Sequence, residues 1–219
     1  MTWSDVALSL ALGMQCVACS RPGRAWCRDC SQLLEEAVDP QLLSEDPPVV
    51  ACTRYAGCVP AAVVGYKDHG VRVLGAQLGR VLAAGLIMVL DAGVDPGVVV
   101  PVTSTSSALR RRGFDHMGQM AAVAAEEAGL ACEQLLRNGR RADQAGLAFT
   151  ARRRNVRGTA RVRRAGVGPV ILVDDVRTSG ATLAECTRAL RSGGYTVSAH
   201  VVVAATNDGP GVRGGLPTG

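Results

Sequence analysis

The stretch "VILVDDVRTSGATLAECTRAL", residues 170–190, constrains this chain more than any other. Four apolar residues, Val170–Val173, end in two adjacent aspartates, and a hydroxyl-rich glycine turn follows. The segment "ATLAECTRALRSGG" then reads as a helix with a glycine stop. The rest of the chain alternates in the same way. "VVACTRYAG", "PGVVVPV" and "YTVSAHVVVAAT" read as strands. "VRVLGAQLGRVLAAGLIMVLDAG" and the segment through "MGQMAAVAAEEAG" read as helices, with "TSTSSALRRRG" a loop between elements. Strands alternating with helices predict an α/β fold: a mostly parallel sheet with helices on both faces.

In such a sheet, ligands sit beyond the carboxyl ends of the strands. Asp174 and Asp175 stand at such an end. The turn from Arg177 through Thr178, Ser179, Gly180 and Ala181 to Thr182 offers backbone N–H groups, hydroxyls and the flexibility of glycine. It leads into a helix N-terminus, which favours an anion. A phosphate held about a turn's width from two carboxylates suits a phosphorylated sugar whose hydroxyls the acids accept. The plainer alternative is a strand end with a helix cap at Thr178 or Ser179. Capping accounts for one hydroxyl but not for paired acids after an apolar run.

Cys16, Cys19, Cys27 and Cys30 form C-x2-C-x7-C-x2-C, two knuckles that suit a tetrahedral thiolate site for structural zinc. Disulfides or unliganded thiols are the alternatives. Cys52, Cys58, Cys132 and Cys186 are isolated and read as small buried residues. The expected organisation is a zinc-ribbon-like module over 1–46, an α/β domain over 47–205 and a flexible tail over 206–219. The N-terminus is apolar but carries Asp5 and no basic lead, and the longest apolar run is Val81–Leu90. These features predict a short N-terminal helix, no membrane span and a cytoplasmic location. Gly209, Gly211 and Gly214 spell a dinucleotide-like pattern, but no helix-length segment follows it.

The net charge is +5, and residues 110–164 hold 13 arginines against 5 acids. That segment reads as phosphate contacts from a closing hood, as a single-stranded nucleic-acid surface, or as a solvated face. Aromatics make up 3% of the chain, so base stacking has little support.

The pattern D-D-V-x-T-S-G-A-T resembles the 5-phosphoribosyl-1-pyrophosphate (PRPP) motif of type I phosphoribosyltransferases. "VVVPVTSTSSALRRRGFDHMGQMA", "DQAGLAFTARRRNVRGTA", "YKDHG" and the cysteine module resemble the ComF family, linked to natural competence, within that superfamily. Asp115-His116 stands where many members have Asn-Gln, and Ala142-Asp143 where a threonine is frequent. The resemblance implies a phosphoribosyltransferase fold with a small hood and transfer from PRPP with release of pyrophosphate. It implies Mg²⁺ alongside PRPP and ribose contacts from Asp174 and Asp175. It also implies a pyrophosphate loop at Thr103, Ser104, Thr105, Ser106 and Ser107, though this turn also reads as a polar surface loop. Lys67, Arg112, Arg152 and Arg154 are further phosphate contacts on this reading. His116 reads either as a structural histidine or as a base for the acceptor. A non-catalytic PRPP sensor, a single-stranded-DNA-handling role and a homo-oligomer are the alternatives carried forward.

Overall fold

A computed structural model describes residues 13–43, 45–103, 106–138 and 158–206, with backbone alone at 106–108. The expected N-terminal helix, the segment from Gln144 to Val156 with Arg152 and Arg154, and the glycine pattern near the C-terminus lie outside the described residues. In chain order the elements are α1 (Arg28–Glu36), β1 (Gln41–Leu43), β2 (Val49–Arg54), α2 (Val59–Lys67), α3 (Val73–Asp91), β3 (Val98–Pro101), α4 (Ser106–Arg112), α5 (His116–Glu127), β4 (Leu136–Asn138), β5 (Ala160–Val162), β6 (Gly168–Arg177), α6 (Ala181–Ser192) and β7 (Tyr195–Ala205).

The central sheet has the order β1-β2-β7-β6-β3. All neighbours run parallel except β1, which is antiparallel to β2. Strands β6 and β7 are buried nearly end to end, which is why both read as unbroken apolar runs rather than alternating ones.

Helix α3 packs on β2 and β7, and α5 lies beside it. A side chain at Gly85 of α3 would put its Cβ 2.5 Å from both Cys52 Sγ and Val201 Cγ1, so glycine sets how closely this helix meets the sheet. Among the described residues α3 is the one helix long and apolar enough to cross a membrane, yet 56% of its apolar window is buried inside the fold. Its composition is that of a helix covered by a sheet on one side and a helix on another.

Helix α6 covers the opposite face, where Thr187 Oγ1 and His200 Nε2 share a hydrogen bond of 2.8 Å. Neighbouring strand residues point to opposite faces, so His200 faces α6 while Val201 faces α3. The register pairs Leu172 with His200 and Val173 with Val201, and continues to Asp174 with Val202. Asp174 therefore falls on the α6 face and Asp175 on the face of α3 and α5.

Strands β4 and β5 form a separate antiparallel pair against α6. Its base is held by Glu185 of α6, which accepts from the amides of Gly158 at 2.8 Å and Ala160 at 3.1 Å. The cysteine module docks on the other side. Gln77 of α3 donates to Ser31 Oγ of α1 at 2.9 Å, and Leu34 is buried there.

The structure departs from the sequence reading in several places. Helix α1 begins inside the cysteine motif, because extended Cys27 serves as its N-cap and accepts from Cys30 N at 3.5 Å. The segment expected to be a loop before α5 contains α4. Helix α2 and the β4–β5 pair were not legible as elements. Strand β6 runs two residues past the aspartates, to Arg177, rather than ending at them.

Candidate functional site

Both aspartates lie within β6 and are almost fully buried, Asp174 8% and Asp175 6% exposed. The backbone turns back on them: Asp175 N donates to Asp174 Oδ1 at 2.8 Å and Val176 N to Asp175 Oδ1 at 2.7 Å. The remaining oxygen of Asp175, Oδ2, pairs with the Lys67 ammonium at the end of α2. His116, the first residue of α5, brings Nε2 to 3.6 Å from the same oxygen.

These partners split the two acids. Burial pushes the Asp174 carboxyl well above the usual carboxylate range, and the neighbouring Asp175 charge pushes it further. Burial acts upward on Asp175 too. The hydrogen bond from His116 and the Lys67 charge outweigh it and hold Asp175 well below that range. Asp174 therefore holds its proton far more tightly than Asp175 does.

His116 is fixed by an aromatic cluster. Its ring centroid lies 6.4 Å from that of Tyr66 and 6.5 Å from that of Phe114, both edge-on. Tyr66 OH donates to Gln119 Oε1 at 3.1 Å, and Arg72 stacks over Phe114 at 3.8 Å. Asp115, next in line, is spent on helix capping: its Oδ1 accepts from Gly118 N at 3.1 Å and its Oδ2 from Gln134 at 3.0 Å. "YKDHG" and "RGFDHMG" are distant in sequence, and they meet at Asp175.

The turn after β6 leads directly into α6. Gly180 is the N-cap, with φ 71, and no side chain caps the helix. That geometry excludes a cap by Thr178 or Ser179, and Thr178, Ser179 and Thr182 stand exposed around free helix N–H groups. Arg177 lies beneath this turn, 6% exposed and paired with Glu45. Its Nε is buried with no partner among the described residues, and a Cβ on Gly180 would lie 3.8 Å from it.

Of the expected pyrophosphate loop, Thr103 lies two residues past the end of β3, the strand beside β6, and Ser106 and Ser107 open α4. Ser104 and Thr105 lie outside the described residues. Lys67 is found on Asp175, and Arg112 on Asp68 at 3.3 Å. A cavity of about 590 Å³ lies apart from Asp175, between α6 and the β1–β2 connection; Gly180, Thr187, Arg191, His200 and Glu45 line it.

The four N-terminal sulfurs all lie within 4.8 Å of one another, and all four cysteines are free. Cys19 Sγ and Cys27 Sγ are 3.6 Å apart. Sulfurs in a tetrahedron around a metal 2.3 Å away would lie about 3.8 Å apart. Burial acts against the Cys16 thiolate, but the amides of Cys19, Ala18 and Cys27 outweigh it and lower the thiol to about 6. Burial and the neighbouring sulfurs raise Cys30. The cluster can hold a structural metal ion.

No protein-family model and no curated protein matches the chain. Similar solved structures include one described as the allosteric regulatory enzyme of purine biosynthesis and the glutamine PRPP amidotransferase of B. subtilis with ADP and GMP. Each is 23% identical with a TM-score of 0.38, over 59% of this chain and 26% of that one. This chain thus spans about a quarter of their length. The orotate phosphoribosyltransferase of Aeropyrum pernix is 19% identical with a TM-score of 0.40, over 82% of both chains. These are coarse likenesses and assign no activity.

Proposed function

We propose that the chain is a ComF-like member of the type I phosphoribosyltransferase superfamily that binds PRPP beyond the carboxyl ends of β3 and β6. The reading adds transfer of the phosphoribosyl group to an acceptor, with pyrophosphate released. The observation that carries it is one continuous piece of chain: a buried carboxylate pair, a left-handed glycine turn and an uncapped helix N-terminus with the Arg177 guanidinium beneath it. Free N–H groups, exposed hydroxyls and the buried Nε suit the 5-phosphate. The Asp174 carboxyl, which keeps its proton more readily, and the Asp175 carboxylate can each hydrogen-bond a ribose hydroxyl.

In transfer, the bond from ribose C1 to the pyrophosphate oxygen breaks and a bond from C1 to the acceptor forms. Positive charge develops at C1 between these events. The protein's part is placement and field: the turn fixes the phosphate end, and the Asp175 carboxylate lies near the ring that becomes cationic. Oxygen donors of this kind fit Mg²⁺, which takes one or two carboxylates plus ligand phosphates, and Asp175 is the residue that would hold it. When bound, Mg²⁺ offsets charge on the leaving pyrophosphate. We assign zinc to the cysteine cluster on its all-sulfur donor set.

The test is calorimetry with PRPP and ribose 5-phosphate in the presence of Mg²⁺. Asp174→Asn combined with Asp175→Asn should weaken PRPP roughly 10- to 10⁴-fold, the loss of one or two charge-assisted hydrogen bonds. Unchanged PRPP affinity in a folded double variant would sink the assignment.

A second reading rests on the β4–β5 pair. Arg137 and Arg161 stand directly opposite one another and both are exposed. Like charges in that register repel, and a bridging polyanion would relieve them. A single-stranded nucleic acid held there through its phosphates should bind in a steeply salt-dependent way without sequence preference. Binding that survives high salt would count against it.

A further inference from the structure

The cation already at Asp175 is part of the chain. Lys67 is the only lysine in the sequence, and its ammonium sits on a carboxylate oxygen that is otherwise sealed by protein. The lysine side chain is 32% exposed and the aspartate 8%, so the ammonium closes the carboxylate from the solvent side. His116 approaches the same oxygen from within the fold, and the other oxygen, Oδ1, accepts from the amide of Val176. The solvent-facing valence of Asp175 is therefore filled by one group, and that group is a flexible chain at a helix end.

We infer that Lys67 is a resident placeholder for the divalent cation at Asp175: it occupies the cation's position while the site is empty and yields it when a cation–diphosphate ligand enters. Electrostatics gives the reason. A buried carboxylate without a counter-ion is costly, so a site that must hold one before its metal arrives needs a removable charge. A long, partly exposed lysine is removable, whereas His116, 3% exposed within its aromatic cluster, is not. Once displaced, the ammonium remains beside the incoming anion and can pair with its phosphates. Lys67 thus opposes the bare cation and favours the cation bound with its anion. No covalent bond changes in this exchange. Both steps take the divalent cation from the reading above, and a comparison with Mn²⁺ alone tests the placeholder step without PRPP.

The experiment uses full-length protein with its cysteine cluster loaded with zinc. Mn²⁺ alone, followed by electron paramagnetic resonance, reports the cation position; calorimetry with Mg²⁺ and PRPP reports the ligand. Lys67→Met should bind Mn²⁺ about tenfold more tightly than the parent, and Mg²⁺–PRPP about tenfold more weakly. Lys67→Arg, which keeps the charge, should stay near the parent for Mn²⁺. Adding Asp175→Asn to Lys67→Met should abolish the Mn²⁺ gain. Should Lys67→Met not fold, Lys67→Gln serves for the same reading. Mn²⁺ affinity that is unchanged or weaker in the uncharged variant overturns the placeholder, and PRPP affinity that is unchanged overturns the hand-over. A parent that binds no PRPP overturns the functional reading, and the Mn²⁺ comparison then decides Lys67 by itself.

Discussion

Two carboxyls adjacent in sequence meet opposite surroundings here, so the same substitution should not cost the same at each. Burial disfavours the charge on Asp174, so Asp174→Asn removes little that the fold relies on. Its effect on urea unfolding should stay within about 1 kcal/mol. Asp175→Asn removes the charge that Lys67 pairs with and the strong acceptor beside buried His116, and should cost more, about 1–3 kcal/mol. Equal losses from the two single variants would contradict the split. His200 gives a pH dependence of known sign. Burial lowers it to about 4 from 6.5, and the Arg191 and Arg177 charges act the same way. Thr187 is its hydrogen-bond partner. The unfolded chain therefore takes up this proton first, so His200's contribution to stability is complete above pH 6.5 and is lost as pH falls toward 4. The full loss is roughly 3 kcal/mol. Comparing urea midpoints of the parent and His200→Gln across pH 4–7 isolates it, and parallel curves would refute it.

At the scale of elements, what was legible followed from burial. Strands β2, β3, β6 and β7 and helices α3, α5 and α6 announce themselves because each must hide apolar residues in a pattern set by its own geometry. Helix α2 did not, since its "VPAAVVGYK" is apolar on most sides and short. The β4 and β5 strands are three residues each and are defined by their pairing and by the Glu185 carboxylate. Within the site, the acids and the turn were readable because they are contiguous. The Lys67 and His116 contacts were not, because both depend on α2 and α5 closing over β6, which no local spacing encodes. The packing of α3 supplies a test. Gly85→Ala would bring a methyl to 2.5 Å from Cys52 and Val201, neither of which has a flexible end to move. It should destabilise by about 1–3 kcal/mol and lower the melting temperature by several degrees, as calorimetric scanning would record. An unchanged melting temperature would mean that α3 sits farther from the sheet.

Across the whole molecule, the cysteine module and the sheet share α3. The module's Leu34 and Ser31 cover a helix that is otherwise apolar enough for a bilayer, so the metal's influence should extend beyond its ligands. Removing it with a strong chelator should release α1, leave most far-ultraviolet dichroism in place and increase dye binding to newly exposed apolar surface. Elemental analysis of the untreated protein should find about one zinc per chain. A chelated protein with unchanged dye binding would show that the module is held by packing alone. The sheet itself separates the two aspartates. One faces α6 and the other α2 and α5, yet they touch through the Asp175 amide and through charge, so a change at Lys67 is felt at both. In a population of diverging sequences, changes on the α2 and α5 side would therefore have to be matched across the sheet. A descendant that remakes the surroundings of Asp175 would have to keep Asp174 in step with it.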